Sequence, residues 1–176
     1  MNNKQIAIKL RELANELDPT SETLQKQDYW EIKIKKGQTI EGTLEECKKL
    51  FPVWCWTNSN LDQIVNSDRT SNKAYSIKVK ANVEADKELK NISADDLKEK
   101  GIIGITLLER LQLEIDYFKN TGEHLDIQNI TLCSGSRYSD GDVPDVSWHS
   151  YDSAMCVDWY NPDHRHSHLR SREIKD

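Results

Sequence analysis

The sequence predicts an α+β protein in which an N-terminal helix-strand-helix part precedes helices packed on a C-terminal antiparallel β-sheet. Three observations support this class. Residues 6–17 and 107–118 carry apolar side chains with the period of an amphipathic helix. Residues 29–35 and 74–83 alternate polar and apolar side chains, as half-buried strands do. From residue 129 onward, short runs of period two alternate with turn residues, which is typical of an antiparallel sheet.

The N-terminal part begins with an apolar stripe that predicts a first helix and consists of Ile6, Leu10, Leu13 and Leu17. The strand at 29–35 follows, with Trp30, Ile32 and Ile34 on its buried side. Thr43 and Glu46 have the spacing of a capping box, so we expect a short helix from there to Pro52. We expect the two tryptophans of the next segment, WCWTNSN, to lie in the core, and the alternative is an exposed pair that contacts a ligand.

The second part contains two further capping boxes, Ser93 with Asp96 and Thr106 with Glu109. The latter starts the helix with the strongest pattern of the chain, and Gly122 supplies its C-terminal stop. The polar stretch 66–73 has no periodicity and resembles a linker. We therefore predict an N-terminal domain over residues 1–68 and a C-terminal domain over residues 74–176.

In the C-terminal part, the unit V-x-W occurs at 146–148 and again at 157–159. We expect two consecutive, related strands whose Val and Trp side chains share one face, with further strands at 130–132 and 169–174. The cysteines show no CxxC pair, and we expect buried free thiols. A disulfide between Cys133 and Cys156 across the sheet is the alternative.

The charge balance, 24 Lys and Arg against 30 Asp and Glu with a net charge of -6, argues against general binding to nucleic-acid phosphates or anionic membranes. No run approaches the roughly 18 apolar residues that a membrane span needs. The opening MNNKQIAIKL does not have the apolar core of a signal peptide. We expect a soluble, cytoplasmic protein without a membrane partner.

Two clusters have residue types that metals use. His164, His166 and His168 alternate and would share one face of a strand, with Asp158, Asp163 or His149 as a further zinc ligand. The alternative is a set of solvated or partner-contacting histidines. Asp140, Asp142 and Asp145 surround Gly141 and either offer carboxylates to calcium or form an ordinary turn. The sequence assigns no metal site and no cofactor.

Enzymatic chemistry has little support in the sequence. The CSGSR segment has serines at 134 and 136, but no nucleophile elbow, P-loop, G-x-G-x-x-G or H-E-x-x-H occurs. No cysteine has an obvious activating base. We therefore assign no catalytic residue. Between residues 137 and 168, the positions outside the apolar frame are mostly Tyr, Ser, Asp, Asn, His or Arg, a composition typical of binding surfaces.

The segments GSR (135–137), Trp148, VDWYNPD (157–163) and LRSRE (169–173) resemble the end of C-type-lectin-like domains, including the variable proteins of diversity-generating retroelements. The resemblance covers residues 74–176 at most and implies a ligand-binding face. Its calcium-and-sugar motif is not reproduced beyond Asn161-Pro162-Asp163. The implied contact positions are Tyr138, Asp145, Ser147, His149, Asp158, Tyr160, His164, His166 and His168, to which we add Arg170 as a partner-binding residue.

The sequence thus favours a non-enzymatic binding protein whose Tyr/His/Asp/Arg-rich C-terminal β surface contacts a macromolecular partner, with a protein as the expected class. One alternative is a small acidic inhibitor from a phage or mobile element, such as an anti-CRISPR or other anti-defence protein, that blocks a nucleic-acid-binding target. The other is a metal-dependent enzyme that uses the C-terminal histidines.

Overall fold

The computed structural model describes residues 28–175, and its helices and strands confirm the α+β class. The predicted first helix, with Ile6 and Leu10, lies outside the described residues. The strands are β1 (Tyr29–Ile34), β2 (Val53–Cys55), β3 (Val65–Ser67), β4 (Tyr75–Lys80), β5 (Ile130–Leu132), β6 (Ser136–Tyr138), β7 (Val143–His149), β8 (Ala154–Tyr160) and β9 (Leu169–Arg170). The α-helices are α1 (Ile40–Leu50), α2 (Leu61–Ile64), α3 (Ala94–Glu99) and α4 (Leu107–Thr121), and a 3₁₀ turn covers Lys87–Leu89.

The largest sheet has five strands in the order β2-β8-β7-β5-β9. Its centre, β8-β7-β5, is antiparallel as predicted, whereas β2 and β9 add to the edges in parallel. Because β9 runs in the same direction as β8, the loop 161–168 between them has to cross the sheet before β9 begins. The purely antiparallel sheet expected from the sequence is therefore corrected to a mixed one.

The described residues also form two small antiparallel sheets, β1-β4 and β3-β6. Each of the strands β1, β2 and β3 thus pairs with a strand that follows the linker-like stretch 66–73. A single apolar cluster also joins both parts, from Ile32 in β1 to Val157 in β8. The seam expected near residue 68 therefore does not separate two hydrophobic cores in the described residues, because residues 28–68 have no sheet of their own.

Helix α4 forms the centre of this core, and its ends follow the sequence signals. Thr106 accepts a hydrogen bond from the Glu109 backbone, the Glu109 carboxylate accepts one from the Thr106 backbone, and Gly122 closes the helix at φ 71°. Leu107, Leu111 and Ile115 of α4 belong to the same cluster as the inner side of the five-stranded sheet. The predicted capping box of Ser93 and Asp96 starts α3 in the same way.

Helix α1 begins earlier than predicted. Its cap is Thr39, whose hydroxyl accepts a hydrogen bond from the Gly42 backbone at 3.0 Å, and the Asp62 carboxylate accepts another from Ile40 at 2.7 Å. Thr43 lies inside the helix and donates to the Thr39 carbonyl at 2.8 Å. The capping box proposed for Thr43 and Glu46 is therefore wrong, because a cap four residues upstream, Thr39, and the Asp62 side chain from α2 already bind free backbone N–H groups at the start of the helix.

The four cysteines have free thiols. Cys133 belongs to the inner core, whereas Cys156 lies in β8 opposite Ser147, on the other side of the sheet, so the two do not face each other. No helix within residues 28–175 has the length and apolar composition that crossing a membrane requires.

Candidate binding surface

The pairing of β7 with β8 sorts their side chains onto two faces. Val146 lies opposite Val157, and Trp148 lies opposite Met155, on the inner face that packs in the core beneath α4. Pro144 and Trp159 lie opposite each other on this same side. The other four pairs point the other way, onto what we call the outer face. These pairs are Val143 with Tyr160, Asp145 with Asp158, Ser147 with Cys156, and His149 with Ala154.

Five of the predicted contact residues therefore share the outer face, namely Asp145, Ser147, His149, Asp158 and Tyr160. They do so because they alternate along each strand and because the β7-β8 register places the two sets side by side. One end of the face is covered by a small apolar cluster of Ala94, Leu132, Val143 and Leu169, and Tyr160 packs against it. Most of the outer face is buried, and its accessible part consists of His149, Asp158 and Tyr160.

The three histidines continue this face outward in what we call the histidine column, formed by Tyr160, His164, His166 and His168. The His164 ring stacks on Tyr160 with centroids 4.9 Å apart and planes 14° apart. His166 follows at 6.4 Å from His164, and His168 at 5.4 Å from His166. All three imidazoles are exposed. The structure therefore brings the histidines together, although they lie in the loop 161–168 and not in the strand that the sequence suggested.

The loop that carries the column is held to α3. The Arg165 guanidinium donates to both carboxylate oxygens of Asp96 at 2.7 Å, and this contact holds the pKa of Asp96 below its usual range. The Asp95 backbone N–H donates to the Pro162 carbonyl at 3.0 Å. At the far end, the Leu169 backbone donates to the His166 carbonyl at 3.0 Å. These bonds fix the crossing loop at both of its ends.

The column does not have the geometry of a chelate. The nitrogen lone pairs of an imidazole lie in the ring plane, so rings that bind one ion need planes that meet at that ion. The planes of His164 and His166 are only 12° apart with the rings stacked, and so they do not converge. Within residues 28–175, no group of three or more His, Cys, Asp and Glu side chains is placed to hold a metal, and this includes the aspartates around Gly141.

Metal removal provides a direct test of this geometry. We expect the melting temperature of the purified protein to stay the same when EDTA or an equimolar amount of zinc is added, because the stacked rings cannot surround an ion without leaving the column. Thermal melts with and without EDTA, read beside elemental analysis, check this. One zinc or nickel per chain together with a lower melting temperature in EDTA would show that the stacked arrangement is not the one in solution.

Four predicted contact residues lie elsewhere or are inaccessible, and one of them, Ser147 of the outer face, is only 4% exposed. Tyr138 is 3% exposed in β6 and packs edge-on against Trp56, with ring centroids 5.4 Å apart. Arg170 of β9 lies opposite Thr131 of β5, and Thr131 in turn lies opposite Val146 of the inner face. Arg170 is therefore not on the outer face, and it donates to the Ala85 carbonyl at 3.2 Å. Asp145 is on the outer face but is only 3% exposed. Neither the resemblance that implied these positions nor the composition of the segment distinguishes buried polar residues from exposed ones.

Trp54 does not lie in the core, where the sequence analysis expected it. It lies in edge strand β2 beside Cys156 of β8, and half of its surface is exposed. Trp56 and Trp159 are also exposed, with centroids 6.4 Å apart, so neither the segment WCWTNSN nor the second V-x-W unit supplies a core tryptophan. The alternation of Val53, Trp54 and Cys55 was the available signal, because it turns Trp54 away from its two core-facing neighbours.

Nucleophilic chemistry has no support in the geometry of the cysteines and the CSGSR serines. Burial raises the pKa of the Cys156 thiol to about 11 and that of Cys47 to about 12, so both stay protonated at neutral pH. The Ser136 hydroxyl accepts a hydrogen bond from the Leu107 backbone at 3.0 Å, and Ser134 pairs with the Ser171 hydroxyl at 2.9 Å. These serines connect α4, β6 and the C-terminal segment.

Comparisons of the chain with protein-family models, with curated proteins and with solved structures give no match.

Proposed function

We propose that this chain is a non-enzymatic binding protein that uses the outer face and the histidine column to bind another protein. The observation that carries the proposal is the column itself, in which Tyr160, His164, His166 and His168 form consecutive ring contacts on the surface. Exposed aromatic and imidazole rings present large contact areas with few rotatable bonds. A surface of this kind loses little side-chain freedom on association.

The support beneath the column favours the same function. The loop is tied to α3 by Arg165 and Asp96, and the face beneath it belongs to the best-connected strand pair of the sheet, β7-β8. A partner would therefore meet a surface that already has its bound shape. Preorganisation is what allows a modest contact area to give useful affinity.

We expect the triple variant His164→Ala, His166→Ala and His168→Ala to weaken partner binding at least tenfold, because truncating central aromatic anchors commonly costs about 2 kcal/mol or more. The measurement is affinity capture by the immobilised chain from a lysate of its own organism, followed by mass spectrometry and titration of the captured protein. The three side chains are exposed, so the variant is expected to retain the wild-type melting temperature.

The matched control replaces three exposed lysines outside this surface, Lys36, Lys73 and Lys98, with alanine and should leave capture unchanged. A captured protein that binds the triple histidine variant and the wild-type chain with equal affinity would contradict the proposed surface. Adding Tyr160→Ala tests the base of the column separately, because Tyr160 also packs against the small apolar cluster of the outer face.

A further inference from the structure

The outer face contains two carboxylates that lie side by side. Asp145 of β7 lies directly opposite Asp158 of β8, so the two side chains emerge next to each other on the same face. Like charges at such positions repel. Within residues 28–175, neither carboxylate forms an ion pair, and Asp158 accepts only the backbone N–H of Trp159, at 3.0 Å.

Asp145 is the unusual member of the pair. It is 3% exposed, and its Oδ2 atom accepts no hydrogen bond. Burial raises the pKa of its carboxyl well above the usual range, and the carboxylate of Asp158 raises it further. A buried, unpartnered acid beside a second acid destabilises the fold, and an incoming positive charge would remove both penalties.

The described arginines nearest in sequence are already engaged. Arg165 binds Asp96, Arg137 donates to the Ser134 and Ser136 carbonyls, and Arg170 donates to Ala85. Two carboxylates are also too few ligands for calcium, which takes six to eight oxygens. Within residues 28–175, no charged side chain is therefore placed to neutralise the pair.

The surroundings of the pair suit a planar cation. Tyr160 is the next residue along β8 on the same face, and Trp54 lies beside Cys156, one step the other way. A guanidinium donates to two carboxylates through its fork of N–H groups and stacks on aromatic rings, whereas an ammonium does neither as well. Aromatic rings flanking an acidic site are a recurring arrangement for binding cations.

We propose that Asp145 and Asp158 receive an arginine side chain of the protein that binds the outer face. This inference rests on the proposed function and specifies its chemistry: the column supplies ring contacts, and the carboxylate pair selects a guanidinium. Asp158, which is half-buried, meets the arginine first, and Asp145 lies behind it as the second acceptor.

The test uses the full chain and a single side chain as the probe. N-acetyl-arginine amide is titrated against protein whose aspartate carboxyl carbons are labelled with ¹³C, and N-acetyl-citrulline amide, of similar shape but neutral, is the matched control. We expect the carboxyl resonances of Asp145 and Asp158 to shift with the arginine probe, at millimolar concentrations, and to stay in place with citrulline. The acetyl-lysine amide is expected to bind more weakly than the arginine probe.

Single-residue variants test the contribution of each carboxylate. Asp158→Asn and Asp145→Asn should each weaken the arginine probe at least tenfold, whereas Asp163→Asn, which removes an exposed carboxylate of the crossing loop, should have no effect. Equal responses to arginine and citrulline, or no carboxyl shift with either, would overturn the inference without requiring any variant to fold.

The two proposals fail in different ways. If partner capture depends on the histidines but the arginine probe leaves the carboxyl resonances unmoved, the binding surface stands and its guanidinium site is wrong. If the probe binds through Asp158 while the triple histidine variant captures its partner unchanged, the cation site stands and the histidine column is not the interface. A lysine probe that binds better than arginine would also overturn the choice of guanidinium.

Discussion

The substitution Asp126→Ala is expected to lower the free energy of unfolding by about 3–5 kcal/mol, because it leaves two buried arginines without their shared carboxylate. Asp126 Oδ1 accepts hydrogen bonds from Arg172 and from the Ala85 backbone, both at 2.8 Å. Its Oδ2 accepts one from Arg110 at 3.0 Å and another from the Thr131 hydroxyl. Asp126 and both arginines have no exposed surface, so water cannot replace the lost partner.

Urea unfolding of the wild-type chain and two variants measures this effect. Asp126 has a positive φ of 53°, a conformation that Asn and Asp tolerate better than Ala. The variant Asp126→Asn therefore keeps the backbone preference and removes only the charge, while Asp126→Ala loses both. We expect both variants to be strongly destabilised, with Ala the worse of the two. A loss below about 1 kcal/mol in the Asn variant would mean that the arginines find other partners.

This network connects parts of the chain that are far apart in sequence. Arg172 also donates to the Asn82 and Val83 carbonyls at 2.7 and 2.8 Å, and Arg110 donates to Glu114 at 2.8 Å. The C-terminal segment, the loop after β4 and helix α4 are therefore held together by charge. All of these residues follow the stretch 66–73, so the network stabilises the C-terminal part, whereas the pairing of β1, β2 and β3 with later strands joins that part to residues 28–68.

The elements predicted from the sequence are those that depend on local chemistry. Ser93, Thr106 and Gly122 mark the ends of α3 and α4 because caps are formed within four residues of the helix end. The β7-β8 pair was also predictable, because a repeated V-x-W unit and a short turn bring neighbouring strands together. Such signals depend on short separations along the chain.

The remaining features depend on distant partners. Short strands such as β2 and β3 carry no signal for pairing with β8 and β6, which lie more than sixty residues later. Arg110 and Arg172 appear in the sequence as ordinary polar residues, although both are fully buried. A buried ion network is invisible to patterns of hydrophobicity, since its members are paired by the tertiary fold and not by spacing.

The candidate surface lies between these cases. Alternation along β7 and β8 was enough to place Asp145, Asp158 and Tyr160 on one face, whereas the stacking of the histidines depends on how the loop crosses the sheet. Exposure was the property that composition could not supply, as Tyr138 shows. The resemblance of the C-terminal segments to C-type-lectin-like domains stays a prediction, as does the acidic-inhibitor alternative.

The variant Asp145→Asn is expected to be more stable than the wild-type chain at pH 8, by on the order of 1–3 kcal/mol, because it removes a buried acid that lacks a partner. Burial, aided by the Asp158 carboxylate, raises the pKa of Asp145 in the folded chain, while the unfolded chain keeps a value near 4. The folded state therefore holds this proton more tightly than the unfolded state does.

The sign of the pH dependence follows from this difference. Below about pH 4 the carboxyl is protonated in both states, so it does not weaken the fold. As the pH rises from there toward the raised folded pKa, the unfolded chain ionises first, and the wild-type protein loses stability relative to the Asn variant. Urea unfolding of both proteins at pH 4, 6 and 8 should show the gap widening with pH, with Asp163→Asn as the control that shows no such gap.

The two effects of Asp145→Asn, greater stability and weaker binding of the arginine probe, are expected together. Binding residues often lower the stability of the free protein, because the side chain that suits the ligand does not suit the unliganded fold. Asp145 is expected to show both effects. If Asp145→Asn were instead less stable than the wild type at every pH, the carboxylate would have a stabilising partner within the chain, and an arginine from another protein would have no unpaired charge to neutralise.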